Sequence, residues 1–212
     1  MIDISEQIKQ AGIVPVIVLE DVEKSEDLGR ALIAGGVNCA EVTFRAAGAD
    51  KVISKLTKAF PDMLVGAGTV LTIDQLLAAK EAGAKFCVAP GFNPKVVKKA
   101  IEIGMPFVPG VANASEIEGA LELGLTTVKF FPAEQAGGLA YIKAVSAPYP
   151  MMKFMPTGGI NSKNILDYIA FNKIIACGGS WIVAKNLLNE GNWTEVTRLC
   201  KEVTEQIKKV RG

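Results

Sequence analysis

The chain has 212 residues, half of them apolar and 21% charged, with 23 Lys plus Arg against 22 Asp plus Glu. A net charge of +1 gives no bulk field for nucleic acid or an acidic membrane surface, and such a composition reads as globular rather than disordered. The histidine count of zero excludes Ser-His-Asp and Cys-His machinery, HExxH zinc sites and most catalytic zinc or iron sites. Acid–base work falls to Glu, Asp, Lys, Tyr, Cys or the substrate.

The start, MIDISEQIKQ, carries charges and no apolar leader core, and no apolar run approaches the length of a membrane span. The expected location is the cytoplasm. A short N-terminal helix precedes a recurring unit: an apolar run, a small turn, then an amphipathic stretch ending near glycine. The runs are IVPVIVL (13–19), NCAEVTF (38–44), MLVGAGT (63–69), KFCVAP (85–90), PFVPGV (106–111), TTVKFF (126–131), KFMPTGG (153–159) and KIIACGG (173–179). Their starts recur every 20 to 27 residues, the size of one βα unit.

Between the runs lie helical patterns. Leu28, Ala31, Leu32 and Gly35 share a face that Gly35-Gly36 ends. Thr72 caps the next stretch, with Leu76 and Leu77 apolar and Gly83 as stop. Asn113 or Ser115 caps a third, stopped by Gly124. Eight such units predict one domain over 1–212, a single closed (β/α)8 TIM barrel, with an open doubly wound sheet as fallback. Cys39, Cys87 and Cys177 lie in apolar runs, and no CxxC pairs them or Cys200, so they read as core thiols.

Strands of such a fold are buried on both faces, so a charge inside one is costly unless it is paired or sits at the C-terminal mouth. Lys129, late in TTVKFF, meets this condition. A desolvated amine there is a nucleophile towards carbonyls; a lysine snorkelling from an edge strand is the structural alternative, and Lys85 and Lys153, which open their strands, fit that description. Strand alternation puts Glu41, Thr43 and Arg45 on one face. Glu41 is the candidate general base and Arg45 a partner for a substrate carboxylate, unless the two form a purely structural pair. PTGGINS (156–162) and GGSW (178–181) end the last two strands, where glycines let backbone N–H groups approach a phosphate and Ser180 adds a hydroxyl, although GG alone also serves tight turns. Thr69, ending GAGT, offers a hydroxyl to a carboxylate or carbonyl. Trp181 and Trp193 read as packing residues, Pro90 and Pro109 as strand ends, and KKVRG as a frayed terminus.

Taken together, EVTFR (41–45), VGAGTVL (65–71), VAPG (88–91), VKFFPAE (128–134), MPTGGI (155–160) and GGSW (178–181) resemble the bacterial 2-keto-3-deoxy-6-phosphogluconate aldolases, class I enzymes many of which also cleave 4-hydroxy-2-oxoglutarate. The resemblance covers nearly the whole chain in matching order. It implies a metal-free, cofactor-free homotrimer of barrels acting on 2-keto acids and releasing pyruvate. It further implies Lys129 as Schiff-base lysine, Glu41 as acid/base, Arg45 and Thr69 on the carboxylate, and Phe131 and Pro90 as pocket walls. Thr157 would lie near the reacting carbons, with Gly158, Gly159, Gly179 and Ser180 at the phosphate. Ala46 departs from the threonine of many relatives, at a position that bears on substrate preference. The residues themselves also leave open another phosphate-binding barrel enzyme, an isomerase or transferase, or a non-catalytic binder of a phosphorylated metabolite.

Overall fold

The structure, a computed structural model, describes residues 4–212. The first three residues of the segment read for a leader lie outside the described residues. The strands are β1 (Ile13–Ile17), β2 (Cys39–Thr43), β3 (Leu64–Gly68), β4 (Phe86–Val88), β5 (Phe107–Val108), β6 (Gly110–Val111), β7 (Thr127–Phe130), β8 (Lys153–Pro156) and β9 (Cys177–Gly179). All pairings are parallel, and β1, β2 and β3 are buried along their whole length, as expected of strands covered on both faces.

The strands do not join into the single closed eight-stranded barrel that the repeat predicts. They form a six-stranded half-barrel in the order β5-β4-β3-β2-β1-β9 and a separate three-stranded sheet, β6-β7-β8. Two local causes divide them. Pro109 interrupts the PFVPGV run, so β5 pairs with β4 while β6 pairs with β7; proline has no N–H for a ladder. At the other seam, KIIACGG forms a strand only at its end, and β8 meets it through isolated bridges, Phe154 to Ile174 and Thr157 to Gly178.

Helices of residues 25–34, 49–59, 73–81, 94–102 and 114–122 pack outside the sheets, several of them begun by side-chain caps. Thr72 accepts from the Gln75 N–H as expected. Of the two candidates for the 114–122 helix, Asn113 is the cap, accepting from the Glu116 N–H, while the Glu116 carboxylate accepts from the Ala112 N–H at 2.6 Å. Leu76 is buried, but Leu77 is 43% exposed, so only the first faces the core. All four cysteines are buried and free; burial pushes the Cys87 and Cys200 thiols up to about 12.

A second cluster inside the strands closes the end opposite the strand C-termini: Ile8 of the 5–11 helix packs with Val14, Cys39, Phe86 and Met155. The C-terminus is not frayed. Its helix runs from Trp193 to Arg211, and the Arg211 guanidinium donates to the carbonyls of Lys9 and Ile175, binding the last residue of the helix to that same end. Among the described residues no helix is long and apolar enough to cross a membrane.

Candidate active site

With one end of the strands filled, the C-terminal end is left to form a cavity of about 650 Å³, within the range of small-molecule sites. Its floor is an ion pair between the two sheets. Glu41 lies mid-strand in β2, in register with Val16 of β1 and Gly66 of β3. Lys129 lies in β7, flanked by Gly110 and Met155. Lys129 Nζ donates to Glu41 Oε1 at 3.2 Å, with the two residues 5% and 0% exposed. The pairing settles two alternatives: Lys129 does not snorkel outward, and the partner of Glu41 is Lys129 rather than Arg45. Lys85 and Lys153 do reach outward, to the carbonyls of Pro61 and Asn172.

The carboxylate fits because β3 ends in glycine. A Cβ on Gly68 would stand 2.3 Å from Glu41 Oε1 and 2.6 Å from its Cγ. Past Gly68, Thr69 is held at φ +57°, in the left-handed region that non-glycine residues rarely adopt, and it faces the cavity. Arg45 lies in the turn after β2, where its Nε donates to Thr43 Oγ1 at 3.3 Å while that hydroxyl donates to the Ile17 carbonyl. Phe131 brings its ring to 5.6 Å from the Lys129 ammonium, a cation–π distance, and Pro90 completes this wall.

The opposite wall comes from the ends of β8 and β9. Thr157, Gly158 and Gly159 line it, the two glycines at φ +102° and +77°. Ser180 also lines it, exposed at the rim. Gly179 does not line it, and a Cβ there would strike the Trp181 ring at 2.1 Å; Gly178 is the glycine of this pair that lines the cavity. Trp181 packs against the core as expected and also lines the cavity wall, together with Lys185; Trp193 packs against the core as well. Trp181 completes the GGSW motif and was therefore within reach of a reading by motif. Val16 and Val18 alternate inward along the first run, and their exposure to a cavity has no signal beyond that alternation.

Two buried polar atoms of the cavity lining, Glu41 Oε2 on the floor and Thr157 Oγ1 on the wall, have no hydrogen-bond partner among the described residues. Buried polar atoms are nearly always satisfied, so two orphans on the lining of one cavity mark where a polar ligand completes the network. No three His, Cys, Asp or Glu side chains among the described residues converge as ligands for a metal ion.

The family model for the KDPG and KHG aldolases matches residues 4–199. This chain belongs to that aldolase family. Among its relatives, the 2-dehydro-3-deoxy-phosphogluconate aldolase of Treponema pallidum is 46% identical over 97% of this chain and 98% of its own. The KHG/KDPG aldolase of Escherichia coli K12 is 40% identical over 92% of each. A solved KDPG aldolase of Legionella pneumophila, holding pyruvate as a covalent carbinolamine intermediate, superposes with a TM-score of 0.91 at 40% identity, covering 94% of this chain and 97% of that one.

Proposed function

We propose that this chain is a class I aldolase that cleaves 2-keto-3-deoxy-6-phosphogluconate to pyruvate and glyceraldehyde 3-phosphate through a Schiff base on Lys129, and 4-hydroxy-2-oxoglutarate to pyruvate and glyoxylate. The observation that carries this reading is the buried Lys129–Glu41 pair at 3.2 Å with the second carboxylate oxygen unpartnered. A passive phosphate binder makes no covalent bond to its ligand and needs no amine nucleophile at the floor of its cavity, and an isomerase working by proton transfer alone would acquire no pyruvate adduct on it.

The chemistry follows from the pair. Glu41 takes a proton from Lys129, and the neutral amine adds to the C2 ketone. The carbinolamine loses its oxygen as water, with Glu41 as acid, and an iminium remains. Glu41, by way of a water, then accepts the C4 hydroxyl proton. The C3–C4 bond breaks, its electron pair enters the iminium, and the aldehyde leaves. Protonation of the enamine at C3 and hydrolysis return pyruvate and the free lysine. Arg45 and Thr69 hold the carboxylate beside C2, the guanidinium through paired donors; Thr157 Oγ1 lies by the reacting carbons, and Phe131 and Pro90 wall the chain of carbons. Gly158, Gly159 and Ser180 receive the phosphate, with Gly178 in the place expected of Gly179.

Intact-mass analysis after incubation with pyruvate and sodium borohydride tests the reading. A reduced pyruvate adduct supports it; a folded protein that acquires none overturns it. Ser180→Ala lowers kcat/KM for the phosphorylated substrate about tenfold, the scale of one hydrogen bond to a charged group, with less effect on 4-hydroxy-2-oxoglutarate. Equal losses on both would remove the serine from the phosphate site.

The same reading extends to a single-domain cytoplasmic enzyme of the Entner–Doudoroff route, working as a homotrimer. An apolar patch at the head of the 73–81 helix, Leu71, Ile73 and Leu77, is 49%, 38% and 43% exposed and suits burial between subunits.

A further inference from the structure

Among the described residues three cations line the cavity: Lys129, Arg45 and Lys185. Lys129 is committed to Glu41, and Arg45 is tied to Thr43 at the ends of β2 and β3. The groups on the other wall, Gly158, Gly159 and Ser180, supply only neutral donors. A phosphate monoester carries a charge near −2 at neutral pH, and such an anion needs a counter-charge when it leaves water. Among the described residues Lys185 is the cation on that side, in the segment that continues from Gly178 through Ser180 and Trp181.

In the free protein Lys185 Nζ donates to the carboxylate of Glu20 at 2.8 Å, and the two side chains are 61% and 62% exposed. Glu20 follows β1, the strand between β2 and β9, so the pair sits at the rim between the two walls. Solvent-exposed pairs of this kind are weak, and a dianionic phosphate arriving beside the ammonium outcompetes a single carboxylate. We infer that Lys185 is the phosphate-selecting cation of this site and that Glu20 holds it at the rim until the phosphorylated end of the substrate displaces it. The inference rests on the aldolase reading and adds to it the residue that separates phosphorylated from unphosphorylated 2-keto acids.

The test is the ratio of kcat/KM for 2-keto-3-deoxy-6-phosphogluconate to that for 4-hydroxy-2-oxoglutarate. Lys185→Met lowers the ratio about three- to tenfold, through KM rather than kcat, because the lost contact is a partly solvated charge pair. Glu20→Gln raises it by freeing the ammonium. Rising salt narrows the difference between wild type and Lys185→Met. In parallel, titration with inorganic phosphate, followed by Trp181 fluorescence in a Trp193→Phe background, gives weaker binding for Lys185→Met. A ratio and a phosphate affinity that Lys185→Met leaves unchanged would overturn the inference and make the contact an ordinary surface pair. A wild type that forms no pyruvate adduct would instead sink the aldolase reading, and the phosphate titration would still decide the role of Lys185.

Discussion

Replacing Lys129 by alanine is expected to abolish both turnover and borohydride trapping of pyruvate, a loss on the order of 10⁵-fold or more, because among the described residues no other amine lies at the cavity floor to form the imine. The same change removes the partner of a fully buried carboxylate. Glu41 is 0% exposed, and breaking a buried ion pair from one side costs about 3–5 kcal/mol. Lys129→Ala is therefore expected to unfold at lower temperature as well as to be inactive. Lys129→Met fills the space and separates the two effects. It is equally inactive, and adding Glu41→Gln to it restores most of the lost stability, since the remaining buried charge is gone. Thermal unfolding of the two single variants and the double variant measures that coupling. If Lys129→Met still traps pyruvate, the nucleophile is elsewhere and the proposed chemistry falls.

What the sequence made legible was the chemistry that lies on strands. Burial on both faces makes a charge inside a strand conspicuous, and this filter found Lys129 and Glu41 although they are 88 residues apart in the chain. The closure of the sheet was not legible by counting units. PFVPGV scores as one apolar run, but the missing N–H of Pro109 splits it between two sheets, and Ile174 contributes one bridge where a full strand was expected. Leu76 and Leu77 are equally apolar, and only the packed neighbours decide which one turns inward. Gly178 and Gly179 differ by one step of alternation, so their order at the wall depends on register, which the GG pair does not encode. Lys185 and Glu20 escaped because Glu20 lies in the loop after β1 and Lys185 opens a helix, Lys185–Glu190, too short to show a periodic face, and the pair spans 165 residues.

The second large effect belongs to Glu41. Glutamine keeps the shape and one acceptor for the Lys129 ammonium but cannot take a proton, so Glu41→Gln is expected to lower kcat by roughly 10²–10⁴ while the protein stays folded, at a lower melting temperature because the buried ammonium has lost its counter-charge. A variant that failed to fold would assign the carboxylate to structure instead. Gly68→Ala asks the complementary question, whether the carboxylate must also be in place. The added methyl would need to occupy space 2.3 Å from Oε1 and 2.6 Å from Cγ, so the intact, ionisable glutamate has to shift. A displacement near 1 Å at a reacting group costs on the order of 10²-fold, and the expected loss in kcat for Gly68→Ala is about 10- to 100-fold. Lys129 sits on a different sheet and keeps its β7 partners, so this variant is expected still to trap pyruvate with borohydride. The split between retained trapping and slowed cleavage distinguishes positioning from general damage, which would weaken both together. Full activity in Gly68→Ala would mean that Glu41 acts from more than one position, and the close fit between β2 and β3 would then serve packing alone.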